Sequence, residues 1–323
     1  MINISVNSSV GLGIAISLAL ISPLATAAIY DRQGSKIPDR EVNSDRVNWQ
    51  LLTSESGKKY NAVGLVDIDY GVCTGFAIAV GNHPTAPTYV LTNAHCQGQA
   101  GQLPGAKEIM VNRPAKSNFV LNYFYDLPLK QLSIPISKIA YATMKNNDIA
   151  ILELGKTQQQ LIAAGIRPLT ISPLPPARGE KIAVVGIPSE GVQTKLNFLH
   201  KSLCQIGQTV AIAEHVYYWQ KSLEHRCSIV GGMSGSPMIS LKNHQVIGIV
   251  NTGVDDNTAQ QPECSLNRPC EVSPDGKKRT FPHKNYGQLV HQITTCFNSH
   301  GIFNLYQPGC QLEKPQNLEN KQH

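Results

Sequence analysis

The chain has 323 residues, 41 % of them apolar and 15 % charged, with a formal charge of +6. That much apolar matter can fill one large core or two modest ones, and it excludes a chain disordered over long stretches. Basic residues are scattered except at Lys277, Lys278 and Arg279, which argues for a solvated surface rather than a nucleic-acid-binding face.

In chain order, the opening 28 residues carry no charged side chain, and an apolar run over 10–24 leads into the small-x-small pattern Ala25-Thr26-Ala27. This predicts a secretory signal peptide over 1–27, cleaved after Ala27 or Ala28. An uncleaved anchor is the rival, since no charge precedes Asp31, but the apolar run is short for a membrane span. A secreted or periplasmic protein is expected, with no stable membrane association. Residues 28–60 are polar and read as an N-terminal arm or a pro-segment.

Short runs rich in β-branched and aromatic residues follow at 62–66, 75–80, 88–92 and 149–154, broken by Gly, Asn and Pro. They predict strands, and a first β unit over 61–170. The proline-rich stretch 168–179 is a poor strand interior and reads as a linker. Strands resume at 181–186 and 245–250, and residues 254–285 form a polar insertion containing Cys264 and Cys270. Leu289, Val290, Ile293 and Phe297 recur at helical spacing and predict one closing helix. The second unit then spans 171–298, with a tail over 299–323.

The eight cysteines fall in chain-neighbouring pairs: Cys73 and Cys96, Cys204 and Cys227, Cys264 and Cys270, Cys296 and Cys310. In an exported chain they predict disulfides, although eight cysteines admit many other pairings. Zinc is the competing use; without paired CxxC units no metal is expected, and no cofactor is implied. Glu214-His215 and Glu224-His225 are not part of an HExxH and read as surface charge couples.

Three segments carry the chemistry: Leu91-Thr92-Asn93-Ala94-His95-Cys96, then Asp148 opening an apolar strand through Leu154, then Gly231-Gly232-Met233-Ser234-Gly235-Ser236-Pro237. Each alone is weak, because a His beside a Cys or a GxSxG arises often by chance. Together, in the order His, Asp, Ser, they resemble the trypsin–chymotrypsin family, whose base lies in Thr-Asn-Ala-His-Cys and whose Asp opens Asp-Ile-Ala-Leu. The third segment is similar to the Gly-x-Ser-Gly-Ser-Pro of bacterial glutamyl endopeptidases. The resemblance covers roughly residues 60–297.

That resemblance implies an all-β, chymotrypsin-like double six-stranded β-barrel and a serine endopeptidase acting on protein or peptide substrates as a monomer. His95 would take the proton of Ser234, and Asp148 would hold the imidazole in the useful tautomer. The amides of Gly232 and Ser234 would form the oxyanion hole. Cys73–Cys96 matches the family bridge beside the catalytic His, and Cys204–Cys227 would pin a strand of the second barrel near the pocket. Cys264–Cys270 and Cys296–Cys310 have no family counterpart. Ser228 falls at the pocket floor, where basic-specific relatives hold Asp. Val250, followed by the substrate-pairing residues Asn251, Thr252 and Gly253, falls where glutamyl endopeptidases hold His. An uncharged primary pocket is therefore expected. Met233 replaces the Asp that pairs with a new N-terminus in the animal enzymes, so any activation must differ. The rivals are an inactive peptide-binding relative, although no triad member is replaced, and a tethered quality-control protease, for which the expected PDZ domain is missing.

Overall fold

The structure is a computed structural model describing residues 49–68, 71–81, 83, 85–99 and 102–315. The signal segment and most of the N-terminal arm lie outside these residues. Strand β1 (Trp49–Leu51) precedes the first sheet, which is built from β2 (Val63–Ile68), β3 (Gly71–Ile78), β4 (Pro87–Thr92), β5 (Ile109–Pro114), β6 (Asn118–Leu121), β7 (Leu132–Thr143) and β8 (Ile149–Thr157). All pairings are antiparallel, and the order β7-β6-β2-β3-β4-β8 returns to β7, closing a six-stranded barrel with β5 on its edge. Closure removes the exposed edges an open sheet would offer for aggregation. Phe76, Leu91, Phe119, Ile134 and Ile151 have no exposed surface and fill its interior.

Helix α1 (Gln158–Ala163) follows β8, started by a capping box in which Thr157 and Gln160 satisfy each other's backbone amides. The proline-rich stretch after it is anchored to both halves. Leu169 exchanges backbone bonds with the Ala77–Ala79 stretch of the first barrel, and Ser172 with Thr170 bracket Val246 of the second.

The second sheet contains β9 (Lys181–Gly186), β10 (His200–Glu214), β11 (Tyr217–His225), β12 (Pro237–Ser240), β13 (Val246–Gly253), β14 (Cys270–Val272), β15 (Lys278–Arg279) and β16 (Asn285–Leu289). Its pairings also run in a ring, β11-β16-β13-β12-β9-β10, because the long β10 pairs β9 along its first half and β11 along its second. Strands β14 and β15, from the insertion, extend from the end of β10, and β1 pairs with its beginning. The fold is thus all-β, of two barrels. Disulfides join Cys73 to Cys96, Cys204 to Cys227, Cys264 to Cys270 and Cys296 to Cys310.

Two sequence readings need correction. The closing helix is a single 3-10 turn, Ile293–Cys296: Leu289 belongs to β16, and Phe297 already pairs as a bridge with Phe303. The apolar spacing reflects burial of Val290 and Ile293 under a chain that the Cys296–Cys310 bond folds back on itself, not a helical face. Within the residues read as the arm, Trp49–Leu51 adds to β10. Finally, neither Glu-His couple lies on the surface as a pair: Glu214, Glu224 and His225 are all buried, and only His215 is exposed.

His225 has a consequence for stability. Its Nδ1 accepts the Cys227 amide at 3.3 Å, while its buried Nε2 meets no partner among the described residues. Burial pushes its pKa down to about 3 from the usual 6.5. A depressed folded pKa means that the unfolded chain binds the extra proton first, so its contribution is intact above pH 6.5 and declines as pH falls toward 3. Between pH 6.5 and 4.5 this single site should cost about 2–3 kcal/mol of stability. Urea unfolding at the two pH values should show that decline, and His225→Gln should flatten it; an equally steep decline in the variant would assign the effect elsewhere.

Candidate active site

The cleft between the barrels gathers His95, Asp148 and Ser234 among its lining residues, together with Ser228, Val250, Asn251, Thr252 and Gly253. Gly232 lies two residues before Ser234 on the same turn. His95 sits on a 3-10 turn just past β4, tied through Cys96 to Cys73 on β3. Asp148 sits just before β8, the neighbour of β4, and is wholly buried. Adjacent strands of one barrel therefore set the pair. The His95 Nδ1 lies 2.6 Å from one Asp148 carboxylate oxygen, and the His95 backbone amide donates to the other at 3.0 Å. The Asn93 side chain also donates to the Asp148 carbonyl at 2.9 Å. Two donors fix the carboxylate plane, so Nδ1 carries the proton and Nε2 is left as the basic edge. The His95 side chain keeps 23 % of its surface exposed. Burial pulls the imidazole pKa down, but the charge and hydrogen bond of Asp148, with the charge of Glu214, outweigh it and hold the pKa above the ordinary value.

Ser234 comes from the other barrel, on a turn immediately before β12. Gly232 and Gly235 both have positive φ, +87° and +82°. A side chain at Gly235 would also collide with the Thr74 carbonyl and with Thr92, so the turn can approach the first barrel only as glycine. Thr74 on β3 makes that approach specific. Its amide donates to the Ser234 carbonyl at 2.9 Å, and its hydroxyl donates to the Gly232 carbonyl at 2.9 Å while accepting the Ile187 amide at 2.9 Å. The Thr74 carbonyl in turn accepts from the Thr92 hydroxyl at 2.8 Å. The amides of Met233, Gly235 and Ser236 are all used internally, whereas those of Gly232 and Ser234 find no acceptor among the described residues.

The Ser228 amide is held by the Ser202 hydroxyl at 3.0 Å, and its carbonyl accepts the Trp49 indole at 2.9 Å. Asn285 on β16 anchors the neighbouring Cys227 carbonyl at 2.8 Å. Val250 and Asn251 are buried in β13. Charged residues that the sequence reading did not place in the cleft also line it: Glu190, Glu214, Arg226, Asp255 and His283. Tyr217 and Trp219, stacked at 5.7 Å, reach across from β11 to the Pro104 and Met144 carbonyls. Thr74 and Glu214 are the site residues missed by sequence reasoning. Thr74 offered one signal, its position next to a cysteine of the His95 bridge; Glu214 offered none, since burial is not visible in a Glu-His dipeptide.

Two closed β-barrels presenting a His–Asp pair from one and a glycine-flanked serine from the other define a double-barrel, chymotrypsin-like protein. The trypsin-like peptidase domain matches residues 73–249, and the chain belongs to that family. Two glutamyl endopeptidases of Staphylococcus epidermidis strains are 32 % and 31 % identical to it over 211 residues, 64 % of this chain. The match likewise spans 64 % of the length of those curated relatives. Among solved structures, the mouse serine protease neuropsin is similar over 77 % of this chain and 96 % of its own, at 16 % identity and TM-score 0.47. A thermostable serine protease from an extremophilic microorganism is similar over 71 % and 91 %, at 17 % identity and TM-score 0.44.

If Thr74 docks the serine turn, then Thr74→Val, which keeps the shape and removes the hydroxyl, should destabilise the protein by about 1–3 kcal/mol, since two buried backbone groups lose their partner. It should also slow covalent labelling of Ser234 by a serine-directed probe at least about tenfold. Thr74→Ser should restore both. Unfolding curves and labelling rates measured on the same preparations give the test, and a Val variant that labels at the wild-type rate refutes the docking role.

Proposed function

We propose that the protein is a serine endopeptidase working through His95, Asp148 and Ser234. The observation that carries this reading is the His95–Asp148 contact, which fixes the tautomer and leaves Nε2 as a base in the cleft that Ser234 lines. As the Ser234 oxygen attacks the scissile carbonyl carbon, its proton passes to Nε2 and the carbonyl electron pair moves onto oxygen. The unused amides of Gly232 and Ser234 would receive that oxyanion. The proton then goes to the leaving amine, giving an acyl-enzyme, and water repeats the sequence to release the acid. Asp148 remains ionised and stabilises the imidazolium. The four disulfides and the signal-like residues 1–27 support export, secreted or periplasmic.

A fluorophosphonate probe should label the wild type at Ser234. Ser234→Ala should lose labelling and peptide hydrolysis with an unchanged melting temperature, and Asp148→Asn should lose about 10³–10⁴ in kcat. Comparable turnover by the purified Ser234→Ala protein would exclude the mechanism, and a folded wild type that neither labels nor cleaves would favour an inactive peptide-binding protein.

For specificity, the reading is an uncharged residue before the scissile bond. Ser228 offers a hydroxyl rather than a carboxylate at the pocket floor, and Val250 an aliphatic side chain where the resemblance to glutamyl endopeptidases calls for His. A charged substrate side chain buried without a partner is strongly disfavoured. A second reading, preference for acidic residues, has its support in the glutamyl relatives and in Arg226 and His283 lining the cleft. A peptide-library profile decides: neutral residues should dominate, and Ser228→Asp should move preference toward Arg and Lys. A wild-type profile led by Glu or Asp, lost on Arg226→Ala or His283→Ala, establishes the second reading instead.

A further inference from the structure

Glu214 ends β10 and lines the active-site cleft, yet only 3 % of its surface is exposed. The triad chemistry makes no use of it, and burying a carboxylate is costly, so its place there needs a cause. Its Oε1 accepts the Asn267 amide at 2.7 Å, and the Thr252 hydroxyl of β13 also bonds to it. The titratable groups that act on it electrostatically are His95 on the turn after β4 and Asp148 before β8, and it acts in turn on Tyr217, across the hairpin on β11. Of these only His95 can become positive. Tyr217 already donates its hydroxyl to the Pro104 carbonyl.

The Asn267 amide is delivered by a braced loop. The Cys264–Cys270 disulfide closes it, and Cys270 pairs with Ala213, next to Glu214. Asn267 has φ +59°, a left-handed conformation that Asn tolerates. Its carbonyl is held by the Asp255 amide at 2.9 Å and the Thr258 hydroxyl at 3.1 Å. On the other side of the loop, the His215 amide donates to the Cys264 carbonyl at 2.6 Å. The insertion thus brings one backbone donor to one buried acid, in the cleft that His95 also lines.

We propose that Glu214 is a positioning residue for His95: held by the Asn267 amide, its carboxylate is a second negative charge that stabilises the imidazolium formed while Ser234 attacks. The proposal rests on the endopeptidase reading for its kinetic part. When the Ser234 proton moves to Nε2, the ring gains a positive charge facing two carboxylates instead of one; Glu214 exchanges no proton in the step. Burial pushes Glu214 up to about 7, against the lowering effect of the Asn267 and Thr252 hydrogen bonds and of His95. Above that pH the carboxylate is charged and supports His95, and below it the support is lost.

The test is an NMR titration of the His95 imidazole in wild type, Glu214→Gln and Glu214→Asp, with kcat/KM against pH on a cleavable peptide. In Glu214→Gln the His95 midpoint should fall below that of the wild type, with kcat/KM on the plateau down about 3–10-fold and the loss mainly in kcat. Glu214→Asp should recover part of both effects, which a purely structural role would not. An unchanged His95 midpoint in folded Glu214→Gln overturns the proposal. If that variant does not fold, a His95 midpoint in Glu214→Asp equal to that of the wild type overturns it equally. The NMR signal needs no turnover, so loss of the endopeptidase reading would appear as absent cleavage with the titration still readable.

Discussion

The site depends on one contact between barrels: Thr74 holding the turn that carries Ser234. The barrels also meet through a shared hydrophobic core and through the Tyr217 and Trp219 bonds to the Pro104 and Met144 carbonyls, but the turn that carries Ser234 needs its own tie to the first barrel. Thr74 supplies that, because a single residue uses its amide, hydroxyl and carbonyl to join the Ser234 carbonyl, the Gly232 carbonyl, the Ile187 amide and the Thr92 hydroxyl. It is also one residue from Cys73, which is bonded to the residue after His95. The Ser234 turn and His95 are therefore referred to the same two residues of β3. Gly235 is the complementary requirement, since any side chain there would push the turn away from the strand it must meet.

Around that junction the electrostatics are dominated by exclusion of water. Asp148 has no exposed surface and Glu214 almost none, so charge on either carboxylate is screened less than at the surface. Elsewhere the protein treats buried charge differently. Lys284 pairs with both Glu224 and Glu271, at 3.2 and 2.8 Å, so that the acids beneath β11 and β14 share a permanent cation. Glu214 instead accepts the Asn267 amide.

How much of this was legible in the sequence follows from the range of each interaction. The strands of the barrels could be read from short β-branched runs, because alternation and turn residues are local, and the family could be read because three short motifs stand in its order. The terminal helix failed for the same reason that the strands succeeded. Val290, Ile293 and Phe297 have helical spacing, but the Cys296–Cys310 bond and the bridge of Phe297 to Phe303 turn the chain back before a second turn can form. Likewise, Glu214 and Glu224 look like surface acids in their own tripeptides. Only the long β10, shared between two pairings, carries the first into the cleft, and only β16 and Lys284 close over the second. A functional residue defined by tertiary surroundings leaves no mark on neighbouring positions.

The segments outside the two rings share a further property: each ends on a different part of the site. The arm at Trp49 donates to the Ser228 carbonyl, and the insertion at Asn267 donates to Glu214. The C-terminal stretch reaches the first barrel, where the Glu313 carboxylate takes Lys145 at 2.8 Å and the Asn146 amide at 2.7 Å, two residues before Asp148. Exposed ion pairs of this kind are individually weak. Here the strand of chain bearing Glu313 is already fixed, by the Cys296–Cys310 bond, by the ring contacts among Tyr89, Phe297 and Phe303, and by the Tyr141 hydroxyl on the Glu313 carbonyl. The entropy of ordering has been met before the pair forms, so the pair can act on the Asn146 turn, whose positive φ of +59° sets the approach to Asp148. The barrels place His95, Asp148 and Ser234, and the added segments restrain the neighbouring loops from outside. Sequence change in those segments would therefore be expected to reach the chemistry through loop geometry, without touching a residue of the three motifs.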